Sequence, residues 1–394
     1  MTGTAYEAAA ARRPKCPRCF SHLPDDQFAW KFRDPDEFVH DEIASAYSGK
    51  EITSAEVHVD EPLPAGVSIH EVVEACPICH YELPPRWREG EVTCVAMAGA
   101  RYTGKTVYLA VLVKQLERLA EQYDREVIPA DHTTAERYRV LYETPLFVER
   151  GIVQATPSAL THVNDPLIFN LGHWQGVPRY LALRDVAGED LENPHQINPT
   201  VLSFFQLADA VFFLFDPLRV EEIANQLRDL IPVPDELGGD PREVLRTVMG
   251  LIADNHPQLA VIISKFNALQ QLAAVANTEW SRIMLQPGAA FNRDPGLTSR
   301  YYDQMDGELL DAEVRSLLHR LNAGPQIRAM RNPVTGAQYP HRLFAVSALG
   351  ESPAGKQLHP NGISPFRCAD PVRWLYAGRG VFEDDYPQYP QAGM

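Results

Sequence analysis

Residues 99–106 constrain the fold of this chain more than any other stretch, because their sequence GARYTGKT matches the phosphate-binding pattern G-x-x-x-x-G-K-[ST]. Residues 92–97, just before them, are a short apolar run that predicts a buried parallel strand. Residues 107–113, just after them, begin a predicted helix with an apolar face. Together these elements make an anion site, because backbone N–H groups and the helix dipole converge on the loop. The alternative is a chance match at a glycine turn.

This pattern predicts a role for the residues of the loop. Lys105 is expected to reach the β- and γ-phosphate oxygens of a nucleoside triphosphate, and the Thr106 hydroxyl is expected to hold Mg²⁺. The predicted nucleotide-binding loop consists of Gly99, Ala100, Arg101, Tyr102, Thr103, Gly104, Lys105 and Thr106.

Composition excludes several classes of protein. A chain of 394 residues with 45% apolar residues has room for one enlarged domain and a small module. Its formal charge of −16 makes non-specific binding to nucleic acid or anionic lipid unfavourable, because the long-range field repels phosphate. No apolar run approaches the roughly 18 residues of a membrane span, and residues 1–11 lack the apolar core of a signal peptide. We therefore expect a cytoplasmic protein.

Four of the six cysteines form two C-P-x-C pairs, Cys16 with Cys19 and Cys76 with Cys79. Each pair supplies two thiolates from a tight turn, so the four predict one tetrahedral structural zinc site. The alternatives are four free thiols or a redox pair. The remaining cysteines, Cys94 and Cys368, are predicted to be unliganded.

The chain divides into four predicted regions. Residues 1–15 are predicted to be disordered, and the acidic tail 382–394 is predicted to be mobile. Residues 16–90 form the predicted zinc-ribbon module, which contains an insert rich in Asp, Glu, His and Pro at positions 21–75. Residues 91–381 form the main domain. There, strands alternate with helices, which predicts an α/β fold with a mostly parallel sheet and a ligand at the carboxyl ends of its strands.

Several elements of the main domain are predicted individually. Residues 167–171 and 179–183 predict a hairpin with a glycine-containing turn. Residues 208–216 and 258–267 predict buried strands with polar ends, and residues 134–148 predict a helix.

Asp185 and Gly188 form a D-x-x-G sequence at the end of the second hairpin strand. About 80 residues after a phosphate loop, this arrangement fits the other half of a nucleotide site. Asp185 is expected to hold Mg²⁺ through water, and the Gly188 N–H is expected to contact a γ-phosphate.

The order of these motifs resembles that of Ras-like GTPases across residues 91–350. The loop at 99–106 is followed by D-x-x-G, by Ser264-Lys-Phe-Asn267, and by Ser347-Ala-Leu349. The paired cysteine turns and the sequences DVAGED and ADAVFFLFDP further resemble the second type of bacterial double-GTPase domains. The resemblance implies a P-loop NTPase three-layer sandwich that binds GTP and Mg²⁺. It also implies a second GTPase or effector as a protein partner in a bacterial conflict system.

The same resemblance implies roles for individual residues. Thr156 or Thr161 is the expected first-switch threonine on Mg²⁺ and γ-phosphate; Thr161 fits the usual spacing better, and Thr156 fits the subfamily setting better. The residues expected at the base are Ser264, Lys265, Asn267, Ser347 and Ala348.

Three positions depart from the GTPase pattern. Asn267 stands where an Asp usually reads guanine, which weakens guanine specificity by about 1–3 kcal/mol. Glu189 replaces the usual water-orienting Gln, which predicts slow hydrolysis. Arg101 occupies a loop position that is often Gly, where it blocks a partner's arginine finger, acts as one itself, or simply faces solvent. The residues expected to contribute to hydrolysis are Lys105, Glu189, Arg101 and Thr156.

Three functions are consistent with the sequence. The first is a GTP-binding switch with slow hydrolysis, which works with a partner protein. The second is an ATP-preferring or promiscuous NTPase, suggested by Asn267. The third is a non-enzymatic adaptor, in which nucleotide stabilises the fold and the zinc module binds a partner.

Overall fold

The computed structural model describes residues 14–151, 165–231, 239–252, 255–352 and 357–383. Both candidate switch threonines, Thr156 and Thr161, lie outside these ranges, as do most of the N-terminus predicted to be disordered and most of the tail predicted to be mobile. No described helix is both long enough and apolar enough to cross a bilayer.

The N-terminal module is built on short strands that pair antiparallel. They are β1 (Ala29–Phe32), β2 (Val39–His40), β3 (Thr53–Ser54), β4 (His58–Val59) and β5 (Val72–Ala75). Strand β1 is central in the sheet β4-β1-β5, and β2 pairs with β3 alone. A single helix, α1 (Glu42–Ser48), connects β2 to β3. The Asp41 side chain caps it by accepting a hydrogen bond from the N–H of Ala44.

The described residues of the main domain form a seven-stranded sheet. Its strands are β6 (Glu91–Ala98), β7 (Ile128–Pro129), β8 (Leu167–Trp174), β9 (Val177–Asp185), β10 (Ala210–Phe215), β11 (Gln258–Ile263) and β12 (His341–Ala345). The strand order is β12-β11-β10-β6-β9-β8-β7. The first five strands in that order run parallel, and β8 and β7 are antiparallel to their neighbours. The predicted α/β fold with a mostly parallel sheet and a hairpin at β8–β9 is therefore confirmed.

Helices lie between and around these strands. They are α2 (Lys105–Glu121), α3 (His132–Tyr138), α4 (Gly188–Glu192), α5 (Glu221–Leu227), α6 (Pro241–Leu251), α7 (Phe266–Gln270), α8 (Glu279–Met284), α9 (Gln304–Arg320), α10 (Gly324–Ala329) and α11 (Asp370–Tyr376). The helix predicted over residues 134–148 changes form within its length. Helix α3 ends at Tyr138, and Arg139–Val148 continues as a π-helix. Pro145 lies inside that segment and has no N–H to donate, which favours such a change.

The core lies against both faces of the sheet. Strand β10 is buried along its whole length, as is β11 from Leu259 to Ile263. Continuous apolar strands of this kind are typical of parallel sheets covered on both sides. Helix α2 buries Leu109, Leu112 and Leu116 in the same core. This arrangement fixes the carboxyl ends of β6, β9, β10 and β11 at one edge of the sheet.

Candidate functional site

The two C-P-x-C turns fold alike. In the first, the Arg18 N–H lies 3.4 Å from Cys16 Sγ, and in the second the Ile78 N–H lies 3.4 Å from Cys76 Sγ. Such N–H donors favour the thiolate form of a sulfur, because they stabilise its negative charge.

The backbone around each turn is also equivalent. Phe20 and His80, which follow the second cysteine of each pair, have φ angles of 61° and 58°. Each donates its N–H to the carbonyl oxygen of the first cysteine at 2.9 Å. The module therefore holds two copies of one local structure, although 56 residues separate them in the sequence.

The turns face each other and bring four buried sulfurs together. Cys16 Sγ lies 3.5 Å from Cys79 Sγ, and Cys19 Sγ lies 3.8 Å from Cys76 Sγ. All four sulfurs lie within 4.8 Å of one another. Tetrahedral coordination with metal–sulfur bonds of about 2.3 Å places sulfurs about 3.8 Å apart, so this cluster can bind one metal ion.

Burial raises the pKa values of the Cys16 and Cys79 thiols well above the ordinary value. Without a compensating positive charge, these two thiols would therefore stay protonated at neutral pH. A bound metal ion supplies that charge and deprotonates the thiols. The environment thus suits a structural metal rather than a reactive cysteine pair, whose thiolate must be exposed.

The cysteine cluster is packed onto the main domain. The cysteines share a buried apolar cluster with Trp87, Ile168 and Tyr180, of which the last two belong to β8 and β9. Trp87 also donates its indole N–H to the carbonyl oxygen of Lys15 at 2.9 Å. The module and the sheet therefore share one core.

Charged side chains fasten the first turn to the sheet. The Arg18 guanidinium lies 2.7 Å from a carboxylate oxygen of Asp165. The Lys15 ammonium lies 2.8 Å from Asp209 Oδ1 and donates to the carbonyl oxygen of Leu207 at 2.8 Å. Buried Arg184 donates to the carbonyl oxygen of Arg18 at 2.6 Å.

A buried polar group connects the insert to the second turn. The His80 Nδ1 lies 2.9 Å from Asp41 Oδ1, and the Lys31 ammonium lies 3.9 Å from Asp41 Oδ2. Ser54 donates its hydroxyl to the same carboxylate at 3.3 Å. Since Asp41 also caps α1, this carboxylate fixes the insert against the cysteine cluster.

The predicted loop at 99–106 follows β6, as expected. Gly99 has φ 144°, and a Cβ on it would lie 2.2 Å from the carbonyl oxygen of Leu214, so only glycine fits. Lys105 is buried and donates to the carbonyl oxygens of Gly99 at 2.7 Å and Ala100 at 3.2 Å. Burial lowers the pKa of Lys105. Thr106 lies in the first turn of α2.

Helix α4 sits directly on this loop. A Cβ on Gly188 would lie 2.3 Å from the Arg101 nitrogen, so the two backbones are in contact. The Arg101 N–H donates to Glu192 Oε1 at 3.0 Å, and its guanidinium lies 2.6 Å from Glu189 Oε1. Two carboxylates of α4 thus bind Arg101 of the loop. Asp185, which ends β9, is buried.

The residues expected at a base follow β11 and β12, and they lie at the same edge of the sheet. The Lys265 ammonium lies 2.8 Å from Asp216 Oδ2 and donates to the carbonyl oxygen of Tyr102 at 2.8 Å. Ser347 donates its hydroxyl to Asn267 Oδ1 at 2.9 Å. Ser264 is buried beside them, and Ala348 is half-buried. The structure therefore brings these residues together, although protein groups hold the Lys265 ammonium and the Asn267 amide oxygen.

The sequence analysis did not predict the contacts made by three residues, Asp216, Glu192 and Arg184. Asp216 ends a predicted strand, so its position at the sheet edge was a usable signal. Glu192 and Arg184 carried no comparable signal, because a single charged residue in a helix or at a strand end is usually solvated.

The fold and the site define a mixed α/β protein with a docked four-cysteine module. No protein-family model matches the chain. The chain is 46% identical over 384 residues to the putative ESX-1 scaffolding and assembly protein SaeC of Mycolicibacterium smegmatis, covering 93% of this chain and 99% of that protein. The chain therefore belongs to the SaeC family.

This relationship corrects the function expected from the motifs. The relative is named for scaffolding and assembly, so the resemblance to Ras-like and double-GTPase families, the GTP-binding switch and the GTPase activity are wrong as descriptions of this chain. The alternative function, an ATP-preferring or promiscuous NTPase, is wrong for the same reason. The motif residues do cluster at one edge of the sheet. However, the local fold of a motif does not establish the chemistry that the whole protein carries out.

Proposed function

We propose that this chain is a scaffold that takes part in the assembly of ESX-1 or an ESX-1-like complex. The observation that carries this proposal is the 46% identity to SaeC across nearly the full length of both proteins. Identity of this kind, spread over both the module and the main domain, supports a shared role for the whole chain rather than for one part of it.

A scaffold needs surfaces held in a fixed relation, and the contacts of the cysteine module support that role. The module shares a buried core with β8 and β9, and Arg184 and Lys15 connect it to the sheet through backbone carbonyl groups. Rigid presentation favours association, because little conformational entropy is then lost on binding.

We further propose that the metal at Cys16, Cys19, Cys76 and Cys79 is zinc, with a structural role. Four cysteine ligands in two turns and sulfur separations of 3.5 Å and 3.8 Å support a closed tetrahedral site, which leaves no position for a substrate. Zinc would close the 56 residues between Cys19 and Cys76 into a loop held against the main domain.

For the loop at 99–106, we propose a structural role in this scaffold. Its contacts with Glu189 and Glu192 would fasten α4 to the sheet edge and so keep the surface around Arg101 in one conformation.

A complementation experiment tests the scaffold proposal. The relative would be deleted from Mycolicibacterium smegmatis, and this chain would be supplied in its place. ESX-1 assemblies would be followed by native electrophoresis with a tagged component. We expect this chain to restore the assemblies. An abundant, folded chain that restores none of them would contradict the proposal.

Two variants test whether assembly depends on the cysteine cluster and not only on the presence of the chain. The Cys76→Ser/Cys79→Ser variant is expected to abolish assembly because it removes half of the metal ligands. The Cys368→Ser variant changes a buried cysteine outside the cluster and is expected to leave assembly intact.

A further inference from the structure

Three exposed apolar side chains lie within six residues of one another in the sequence of the N-terminal insert. Residues 36–43 read DEFVHDEI, and the side chains of Phe38, Val39 and Ile43 in this stretch are 64%, 39% and 43% exposed. We call these three residues the Phe38 patch. Single exposed apolar side chains are ordinary, but three in so short a stretch make this segment a candidate interaction surface.

The backbone that carries the Phe38 patch is firmly held. Strand β2 pairs with β3, with Val39 opposite Ser54, and α1 begins two residues after β2. Asp41, between the two elements, is buried and bonded to His80 of the second cysteine turn. The patch is therefore presented by an ordered surface, which lowers the entropy lost when a partner binds.

The charge around the patch is strongly negative. Asp36, Glu37 and Glu42 lie beside it in the sequence, and Glu37 and Glu42 are exposed. Residues 21–75 as a whole contain 13 Asp and Glu but only three Lys and Arg, so this insert carries most of the chain's net charge of −16. A surface of this kind favours a positively charged partner and repels a negatively charged one.

Apolar side chains inside an acidic border match one kind of partner. We propose that the Phe38 patch binds a segment of a protein partner in which Lys or Arg residues flank large apolar side chains. The apolar side chains would pack on Phe38 and Ile43, and the cations would face Asp36 and Glu37. The inference rests on the proposed scaffold function, since it supplies the surface that such a scaffold would use.

Binding of synthetic peptides to the zinc-loaded full chain tests this proposal. Three labelled peptides of equal length would be compared by fluorescence anisotropy: one of Leu and Lys with helical spacing, one of Leu and Glu, and one of Gly and Lys. We expect the Leu/Lys peptide to bind most tightly. The affinity of the Leu/Lys peptide should fall by about tenfold or more for the Phe38→Asp variant. A few anchor side chains contribute most of the binding energy of an interface, and this variant removes one of them. The affinity should also fall in Asp36→Lys/Glu37→Lys.

Matched variants control for the overall charge of the chain. Met305→Asp places the same acid at an apolar side chain that is 80% exposed on α9. Glu121→Lys/Glu136→Lys makes the same charge change at exposed positions on α2 and α3. Both controls are expected to bind the peptide as the natural chain does. Equal binding by all three peptides, or equal losses in the patch and control variants, would overturn the proposal.

The same variants distinguish this proposal from the scaffold function. If the natural chain restores ESX-1 assemblies and Phe38→Asp restores them equally well, the patch proposal fails and the scaffold function stands. If the natural chain restores none, the scaffold function fails, and peptide binding by the patch variants still decides whether the surface recognises a basic apolar segment. Zinc content and thermal unfolding of each variant would confirm that it is folded.

Discussion

The guanidinium of Arg184, near the end of β9, donates a hydrogen bond of 2.6 Å to the carbonyl oxygen of Arg18 in the first cysteine turn. It also donates to the carbonyl oxygen of Tyr47 at 3.2 Å and lies 4.0 Å from the ring centre of Phe204. Burial lowers the pKa of Arg184 to about 10, so it remains charged at neutral pH. One buried cation of the main sheet thus binds the backbone of the module at two places.

Replacing Arg184 should loosen the module. In Arg184→Met, the apolar stem remains while the donors to Arg18 and Tyr47 are lost. We expect the free energy of unfolding to fall by about 1.5–3 kcal/mol, the usual range for hydrogen bonds to charged groups. Urea unfolding measures it. Arg228→Met, at an exposed position, should change the free energy by less than about 0.5 kcal/mol. Equal values for the two variants would contradict the connecting role.

Metal removal should destabilise the chain through the cysteine cluster. The natural chain is expected to bind about one zinc ion, and Cys16→Ser is expected to bind almost none, because a closed site depends on its full ligand set. Atomic emission measures the content, and thermal unfolding measures the loss of stability. Cys94→Ala changes a buried cysteine of β6 and should retain the metal. Loss of zinc in Cys94→Ala but not in Cys16→Ser would refute the assignment.

The pH dependence of stability should include a contribution from Asp370. Burial raises the pKa of this carboxyl group from 3.8 to about 6, although its Oδ2 lies 2.5 Å from Arg367. Between these two values the folded chain binds more protons at Asp370 than the unfolded chain does. Stability should therefore fall as pH rises through this window and level off above about pH 6.

The Asp370→Asn variant tests this contribution. Across the same window it should show a flatter dependence of unfolding free energy on pH, measured by urea titration. Asp229→Asn, at an exposed position, should follow the natural chain. A slope that is unchanged in Asp370→Asn would show that the shift in pKa does not affect stability.

A methyl group on Gly188 should separate α4 from the loop. In Gly188→Ala the new Cβ would meet backbone atoms of Ala100 and Arg101 at 2.5 Å or less, and backbone cannot move aside as a side chain can. We expect a loss of about 1–3 kcal/mol of stability, typical of overpacking. Amide hydrogen exchange at Arg101 should become faster, because its N–H loses Glu192.

Gly250 offers a matched control for this substitution. It lies in α6, and a Cβ added to it would have no neighbouring atom within 4 Å, so alanine fits there. Gly250→Ala is expected to increase stability by about 0.5–1 kcal/mol, because alanine is the better helix former. Faster exchange at Arg101 in Gly250→Ala as well would show that the effect does not come from the contact with α4.

Local patterns in the sequence predicted the elements well. Two strand-like runs joined by a glycine-containing turn predicted the β8–β9 hairpin, and the apolar run at 258–263 predicted β11. The two C-P-x-C sequences predicted two tight turns and the clustering of their four cysteines. These features depend on neighbours within a few residues, which is the information that a single sequence holds most directly.

The motifs predicted a local fold correctly, but a local fold does not determine the function of the whole chain. A glycine-rich loop between a strand and a helix fixes the backbone, but the groups that approach the loop come from distant parts of the chain. Glu189 and Glu192 approach Arg101 here, and Asp216 holds Lys265. The motif could not predict these contacts, and the correction of the function came from similarity over the whole chain.

The sequence by itself determined the main strands, the mostly parallel sheet and the two paired cysteine turns, since each follows from periodicity or short spacing. Only the tertiary structure decided that Arg184 joins the sheet to the module, that α4 closes on the loop, and that Phe38 and Ile43 stay exposed among carboxylates. Such contacts join residues far apart in the chain, and their energies depend on burial, which appears only when the chain is packed.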